Sequence, residues 1–197
     1  MNDTGEKMTA ELVLRKVLRK MNSSSSFLIT VAAQDYPKIE FTLLRQLSRR
    51  KNEKGIYITF NKSYTKIISS LNERGLSSKN LYIIDAITGD KSKTNSPLNN
   101  CYCLNNPQSL TQLSISLTNL LKTNQYQFII FDNLSAFLIY NNIETTERFV
   151  HYLIGKVQPF GIKSFFISLK DRKSRELLEV ITPLFDRYVD LDKNIIH

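Results

Sequence analysis

The sequence predicts an α/β fold, a three-layer α/β/α sandwich in which helices cover both faces of a mostly parallel sheet. Short apolar runs recur along the chain, and each is typical of a strand buried on both faces. Between them lie segments whose apolar residues recur at steps of three and four, as in amphipathic helices. The run Tyr126–Phe131 stops at a carboxylate, Asp132, and the carboxyl ends of such strands are where α/β proteins bind ligands.

A basic amphipathic helix is predicted over Glu6–Met21, ahead of the first apolar run. We favour a helix that docks on the domain edge with a solvated basic face, over a helix that binds nucleic acid or a membrane surface. The polar stretch Asn22–Ser26 is typical of a hinge or loop. The chain is therefore divided into an N-terminal helix and linker, residues 1–26, and one domain, residues 27–197.

The remaining elements alternate between strand and helix. The predicted strands are Phe27–Ala33, Gly55–Phe60, Leu81–Ala86, a short edge strand at Cys101–Leu104, Tyr126–Asp132, Ile162–Leu169 and Arg187–Leu191. The predicted helices run from Pro37 to Arg50, from Ser63 to Arg74, from Asn106 or Ser109 to Leu121, from Glu144 to Phe160 and from Ser174 to Leu184. Gly75 is typical of the position just after the end of a helix, here the one predicted to end at Arg74. Thr88–Asn100 is predicted as a long loop, and Asn133–Tyr140 as a strand-to-helix connection.

Composition narrows the classes of function. The chain has 197 residues, 42% of them hydrophobic, which is ordinary for one globular domain. We expect no membrane span and no secretory signal, because no apolar run has the required length. The two cysteines, Cys101 and Cys103, are too few for a zinc site, and a reduced cytoplasmic protein is the simplest interpretation. The net charge of +9 raises a nucleic-acid interpretation, which the spread of basic residues along the chain weakens.

The order of the elements resembles the RecA/KaiC-like branch of the P-loop ATPases, from about Phe27 to Leu191. The cues are the strand GIYITF with a polar pair after it, the strand LYIIDA, a helix opened by Ser109-Leu110-Thr111, the segment FIIFDNLSAFL and the late segment FDRYVDL. The strand that ends at Asp132 is similar to a Walker B strand. The resemblance implies a RecA/KaiC-like P-loop NTPase fold, with a nucleotide pocket beside the turn that follows the first strand.

That turn departs from the family. A working phosphate loop needs glycines, a Lys on the phosphates and a Ser or Thr on Mg²⁺. The segment from Ala33 to Glu40 contains no glycine. When it is aligned with the motif without gaps, Ile39 takes the Lys position and Glu40 takes the Ser/Thr position. After a shift by one residue, Lys38 takes the Lys position but Ile39 takes the Ser/Thr position. The acidic side chains of the segment would also repel a triphosphate. We interpret it as a degenerate Walker A motif, whose pocket positions are Gln34, Asp35, Tyr36, Lys38, Ile39, Glu40 and Asp132.

The resemblance further implies a pair of catalytic acids just after the second strand. Asn61 and Lys62 occupy those positions, and an Asn cannot act as a general base. Asp132 is then the one acid that remains of the expected set. For its role we favour a structural carboxylate that accepts nearby donors over a ligand of Mg²⁺.

A basic cluster follows the predicted strand Ile162–Leu169. It comprises Lys170, Asp171, Arg172, Lys173 and Arg175. A solvated loop is the simplest interpretation. A phosphate or nucleic-acid contact, or a finger at a subunit interface, is the alternative.

Three functions remain. We favour a non-catalytic pseudo-ATPase that acts as a cytoplasmic regulatory or protein-interaction module, without a cofactor or metal, whose partner is another protein; homo-oligomerisation is left open. The second is a nucleotide-binding protein or weak ATPase that uses Lys38 and Asp132 with ATP and Mg²⁺. The third is a nucleic-acid-binding module that uses the basic surface.

Overall fold

The computed structural model describes residues 9–19, 25–50, 53–89, 100–193 and 195–196. The ends of the predicted helix Glu6–Met21, most of the predicted hinge Asn22–Ser26 and nearly all of the predicted loop Thr88–Asn100 lie outside these residues.

Strands and helices alternate through the described part of the chain. The strands are β1 (Ser26–Val31), β2 (Gly55–Thr59), β3 (Leu81–Asp85), β4 (Cys101–Cys103), β5 (Phe128–Asp132), β6 (Lys163–Leu169), β7 (Arg187–Asp190) and β8 (Ile195–Ile196). The helices are α1 (Ala10–Arg19), α2 (Tyr36–Ser48), α3 (Tyr64–Glu73), α4 (Leu110–Leu121), α5 (Leu134–Tyr140), α6 (Ile143–Val157) and α7 (Arg172–Ile181). Short 3₁₀ turns follow α6 and α7. No described helix is both long enough and apolar enough to cross a membrane.

All eight strands form one sheet in the order β4-β3-β2-β5-β6-β1-β7-β8. Every neighbouring pair is parallel except β7 and β8, which are antiparallel. The central strands β1, β2 and β5 are buried along their whole length, as expected for parallel strands covered on both faces. Because parallel strands all end at the same edge, the polar residues that follow β1, β2 and β5 are brought together there.

Helices cover both faces of the sheet. The first face packs against α1, α2 and α3 in an apolar cluster that includes Leu14, Leu43 and Ile67. The second face packs against α4, α5, α6 and α7 in a cluster that includes Phe137 and Leu153. The predicted three-layer α/β/α sandwich with a mostly parallel sheet is thereby confirmed.

Helix α1 packs on α2 and contributes to the core. Its buried residues are Val13, Leu14, Val17 and Leu18. The Thr42 hydroxyl donates to Glu11 Oε1 at 2.7 Å, and the Arg50 guanidinium donates to the Leu18 carbonyl at 2.7 Å, so that polar contacts hold both ends of α1, one on α2 and one on the residues that follow α2. The division of the chain between residues 26 and 27 stays a prediction.

The prediction that Asn133–Tyr140 is only a connection was wrong, because Leu134–Tyr140 forms helix α5. The Asn133 side chain caps it, with Oδ1 accepting from the Ala136 N–H at 2.8 Å. Helix α7 also begins earlier than predicted, because Asp171 caps it by accepting from the Ser174 N–H at 2.7 Å. Strand β8 was not predicted.

Candidate functional site

The candidate site lies at the carboxyl edge of the sheet, where Asp132 ends β5 beside β2. Tyr57 lies on β2 two residues before the end of that strand. Tyr36 begins α2, and Glu40 follows one helical turn later, which places both on the face of α2 that meets the sheet. Asp132 and Tyr57 are fully buried, and Tyr36 and Glu40 are nearly so.

Three side chains converge on the two carboxylates of this site, Asp132 and Glu40. The Tyr36 hydroxyl donates to Asp132 Oδ1. The Tyr57 hydroxyl oxygen lies 2.6 Å from Asp132 Oδ2 and 2.7 Å from Glu40 Oε1. The Lys62 ammonium donates to Glu40 Oε2. We call Tyr36, Glu40, Tyr57, Lys62 and Asp132 the Asp132 cluster.

One carboxyl group of the Asp132 cluster is protonated. Three short oxygen–oxygen contacts join the two tyrosines to the two acids, and each contact needs one proton. The two phenol groups supply only two protons. The third is assigned to Asp132, which is fully buried and lies beside the Tyr57 hydroxyl. The cluster thus holds one proton in addition to its phenol and ammonium protons.

The electrostatics of Asp132 agree with this count. Burial raises the pKa of Asp132 to about 7, and the neighbouring Glu40 carboxylate raises it as well, while the donors of Tyr36 and Tyr57 and the charge of Lys62 lower it. Burial and the same two carboxylates raise the pKa of both tyrosines. The phenols therefore stay neutral and act as hydrogen-bond donors across the physiological pH range.

The segment after β2 closes the Asp132 cluster from outside. Asn61 Nδ2 donates to the Tyr36 hydroxyl at 3.2 Å, and the Lys62 ammonium lies 5.3 Å from the centre of the Tyr36 ring. The Thr59 hydroxyl holds this segment in place, because it accepts from the Lys62 N–H at 3.1 Å and donates to the Lys62 carbonyl at 3.0 Å.

Several backbone N–H groups at the turn between β1 and α2 form hydrogen bonds within the chain. The N–H groups of Asp35 and Tyr36 donate to the Ala32 carbonyl at 3.0 and 3.1 Å, and the Ala32 N–H donates to Asp192 Oδ1 at 3.2 Å. The Asp35 side chain makes no cap hydrogen bond to α2. The turn is thus held by its own carbonyl and by a carboxylate of the same chain.

The structure brings together some of the predicted pocket positions and separates others. Tyr36, Glu40, Asp132 and the predicted Asn61–Lys62 pair meet in or against the Asp132 cluster. Lys38 points away from it, with its side chain 63% exposed and its ammonium 3.5 Å from Glu11. Ile39 is buried in the apolar core, and Gln34 is exposed.

Sequence reasoning missed Tyr57, which bridges the two acids. Tyr57 was included in the predicted strand Gly55–Phe60 as a core residue, with no role of its own. A signal was available, because a hydroxyl on a strand buried on both faces needs a hydrogen-bond partner. Asp85 was also passed over; it is fully buried and accepts from the Tyr64 N–H at 2.7 Å and the Ile87 N–H at 2.9 Å. Asp85 therefore holds the start of α3 beside the end of β3.

Among the residues that the structure describes, no three His, Cys, Asp or Glu side chains lie close enough to hold a metal ion. In the Asp132 cluster, both Asp132 oxygens contact phenol groups and Glu40 is paired with Lys62. The Asp132 cluster holds a proton between buried side chains, and it lies against the turn that follows β1.

Comparisons with known proteins bear on the family and the fold of this chain. The sequence profile of a family of unknown function (DUF7504) matches residues 38–191. Among solved structures, the KaiC-like protein PH0186 from the hyperthermophilic archaeon Pyrococcus horikoshii OT3 has a similar fold, with a TM-score of 0.64 over 86% of this chain and 73% of that chain. The two sequences are 8% identical, so the likeness concerns the fold alone. No curated protein sequence matches the chain significantly.

Proposed function

The chain belongs to a family of unknown function (DUF7504), and within it we propose that this KaiC-like fold serves as a non-catalytic regulatory or protein-interaction module of the cytoplasm and not as an ATPase. The observation that carries the proposal is the Asp132 cluster. Its side chains occupy the region between the start of α2 and the end of β5, where the resemblance to P-loop ATPases implies a nucleotide and Mg²⁺.

The Asp132 cluster does not fit Mg²⁺. A magnesium ion needs oxygen ligands in octahedral geometry at about 2.0–2.1 Å. Both oxygens of Asp132 already accept or share protons with tyrosine hydroxyls, and the nearby ammonium of Lys62 would repel a cation. The burial that raises the pKa of Asp132 to about 7 favours the neutral acid, which is a poor metal ligand.

The turn after β1 does not fit a triphosphate. The backbone N–H groups of Asp35 and Tyr36 are hydrogen-bonded within the turn and that of Ala32 to Asp192, so these three do not point at a phosphate. The exposed Lys38 extends toward Glu11 of α1 and away from the Asp132 cluster. Together with the absence of glycine from Ala33 to Glu40, these contacts support a degenerate Walker A motif.

The positions at which the resemblance implies a general base for hydrolysis carry none. Asn61 and Lys62 stand where the resemblance implies catalytic acids, and the carboxylate of Glu40 is paired with Lys62. A fold that keeps its core and lacks a catalytic site is suited to binding another protein.

A thermal-shift series tests the proposal. The purified protein is melted with ATP, ADP or GTP, each with and without Mg²⁺. A ligand that binds the folded state must raise Tm by mass action. Because the turn after β1 and the Asp132 cluster do not fit a nucleotide with Mg²⁺, we expect no Mg²⁺-dependent rise in Tm. The same samples are assayed for phosphate release.

The Asp132→Asn variant is the matched control, because it keeps the size of the side chain and can keep its hydrogen bonds. Hydrolysis that is present in the wild-type protein and absent in Asp132→Asn would overturn the proposal, as would a Mg²⁺-dependent rise in Tm that this variant abolishes. Either result would favour a nucleotide-binding protein with an altered pocket.

A further inference from the structure

A cleft lies between α7 and β7, away from the Asp132 cluster. Its volume is about 540 Å³, which is within the range of roughly 300–1,000 Å³ that small-molecule sites occupy. Leu178 and Tyr188, which line it, pack with the cluster on the second face of the sheet. Tyr36 and Tyr57 pack with the cluster on the first face. The cleft and the Asp132 cluster therefore lie on opposite faces of the sheet.

The charged lining of the cleft comprises four basic and three acidic side chains. Arg172 and Arg175 are one helical turn apart at the start of α7, so both lie on the side of α7 that lines the cleft, and Lys193 lines it from beyond β7. None of these three side chains forms an ion pair with another residue that the structure describes. Their charges are available to a ligand.

Most of the carboxylates in the lining are already engaged. Asp190 is paired with the ammonium of Lys170, which also lies 3.1 Å from Asp192 Oδ2. Asp171 caps α7 by accepting from the Ser174 N–H at 2.7 Å. Of the carboxylates that line the cleft, Glu179 alone has neither kind of contact with a described residue. Three cations without an ion pair to a described residue thus face two carboxylates without one, Asp171 and Glu179, so the lining keeps a net positive charge that favours an anion.

The cleft also has an apolar surface. Leu178 and the ring of Tyr188 are half-buried, and the Tyr188 hydroxyl lies 3.2 Å from the Thr30 hydroxyl, which leaves the ring in a fixed position. A fixed aromatic ring beside a leucine offers a contact for a flat apolar group. Guanidinium groups bind phosphate oxygens through paired hydrogen bonds.

We propose that the cleft between α7 and β7 binds a small phosphomonoester that carries an aromatic or other flat apolar group. Arg172 and Arg175 hold the phosphate, Lys193 adds positive charge from the opposite side, and Leu178 and Tyr188 contact the apolar group. For a regulatory module this cleft supplies the place where a small-molecule signal is read. The assignment does not depend on the absence of catalysis at the Asp132 cluster.

Calorimetric titration of the full chain with phenyl phosphate, in a phosphate-free buffer, tests the proposal. We expect saturable one-site binding to the wild-type protein, and weaker binding of inorganic phosphate, which lacks the apolar group. The double variant Arg172→Gln/Arg175→Gln should weaken the binding of phenyl phosphate at least about tenfold. Both arginines are exposed, so the variant keeps its fold, and its melting temperature verifies this.

Lys173→Gln is the matched control, because Lys173 lies on the same turn of α7, is exposed and does not line the cleft. Its affinity for phenyl phosphate should stay within twofold of the wild-type value. Two results would overturn the proposal: no saturable binding at millimolar phenyl phosphate, or an equal loss of affinity in Lys173→Gln, which would indicate a general effect of charge.

The same variants separate this proposal from the proposed function. A nucleotide-dependent rise in Tm that persists in Asp132→Asn and disappears in Arg172→Gln/Arg175→Gln would place phosphate binding in the cleft and leave the non-catalytic assignment standing. A rise that disappears only in Asp132→Asn would overturn the proposed function and would assign none of the binding to the cleft.

Discussion

Tyr57 places a single hydroxyl between two buried carboxylates, and removal of that one oxygen atom should change the stability of the protein. In Tyr57→Phe, Asp132 Oδ2 and Glu40 Oε1 lose their shared partner and face each other across an apolar edge. Leaving buried polar groups unsatisfied costs about 1–3 kcal/mol, and we expect the free energy of unfolding to fall by that amount. Urea unfolding at pH 7 measures it.

Tyr102→Phe is the control for Tyr57→Phe, because its side chain lies at the surface, 37% exposed. Its free energy of unfolding should match that of the wild-type protein. If Tyr57→Phe were as stable as Tyr102→Phe, the Asp132 cluster would not depend on its bridging hydroxyl.

Asp132 should make the stability of the protein depend on pH. Its pKa is about 7 in the folded state, against about 3.9 in an unfolded chain. Between these values the folded protein binds a proton that the unfolded chain has released, so the contribution of Asp132 to stability is largest below about pH 4 and falls as pH rises to about 7. Above pH 7 it is constant.

The Asp132→Asn variant isolates this effect, because an amide mimics the protonated acid: Oδ1 accepts from Tyr36 and Nδ2 donates to Tyr57. From pH 5 to pH 8 the wild-type protein should lose on the order of 2 kcal/mol more stability than Asp132→Asn. Denaturant unfolding at both pH values measures the difference. Asp35→Asn, which removes a charge at a partly exposed position, should follow the wild-type profile. Parallel pH profiles for the wild-type protein and Asp132→Asn would contradict the assignment of the extra proton.

At the residue scale, the sequence predicted the components of the site better than their contacts. Asp132 could be predicted because a carboxylate that ends an apolar run is recognisable. Tyr36, Glu40 and Lys62 could be named from the resemblance. Their hydrogen bonds could not, because Glu40 and Lys62 come from different elements and meet only when α2 and β2 pack together.

Between elements, Gly55 marks a close approach of β2 to β5. It pairs with Phe128 where β2 lies beside β5, and a Cβ atom at Gly55 would lie 2.0 Å from the Phe128 ring. Gly55→Ala should therefore force β2 and β5 apart or displace the ring, at a cost of about 1–3 kcal/mol in the free energy of unfolding. Chemical denaturation measures this cost.

Gly155→Ala is the matched control, since a Cβ atom there meets no other atom within 4 Å and the position lies inside α6. It should stabilise the protein by about 0.5–1 kcal/mol, the usual gain when alanine replaces a helical glycine. A neutral Gly55→Ala variant would show that the contact between β2 and β5 is loose.

The sequence predicted long elements well and a short one poorly. The strands were recognisable because both faces are apolar. Helix α5 was missed because a segment of seven residues has little helical tendency of its own. Its stability comes from packing, with Leu134 and Phe137 fully buried, and from the Asn133 cap, and that packing depends on distant parts of the chain.

At the scale of the whole molecule, α1 belongs to the same apolar cluster as the first face of the sheet. Leu14 is fully buried there, so Leu14→Ala should lower the free energy of unfolding by about 2–5 kcal/mol. Leu12→Ala, on the same helix but 48% exposed, should change it by less than about 0.5 kcal/mol.

The shape of the transition tests whether residues 1–26 form a separate unit. Far-ultraviolet circular dichroism and tyrosine fluorescence should give coincident unfolding curves for the wild-type protein and for Leu14→Ala. A separate early transition, displaced only by Leu14→Ala, would show that α1 unfolds independently of the rest of the chain.

The layered arrangement was predictable at this scale, and the order of the strands was not. Alternating strands and helices imply a parallel sheet with helices on both faces. The pairing of β1 with β6 and β7, which follow it by more than a hundred residues, depends on long-range contacts that no local pattern encodes.

The sheet ends in very short strands, β4 with three residues and β8 with two. A long outer strand would offer a row of backbone donors and acceptors to another molecule, which is the usual start of fibre growth. These two strands extend for roughly 10 Å or less, at about 3.3 Å per residue. Within the described chain, neither border of the sheet offers much backbone to a second copy. We therefore expect concentrated solutions to resist fibre formation from the folded state, and any assembly to use the helical surfaces.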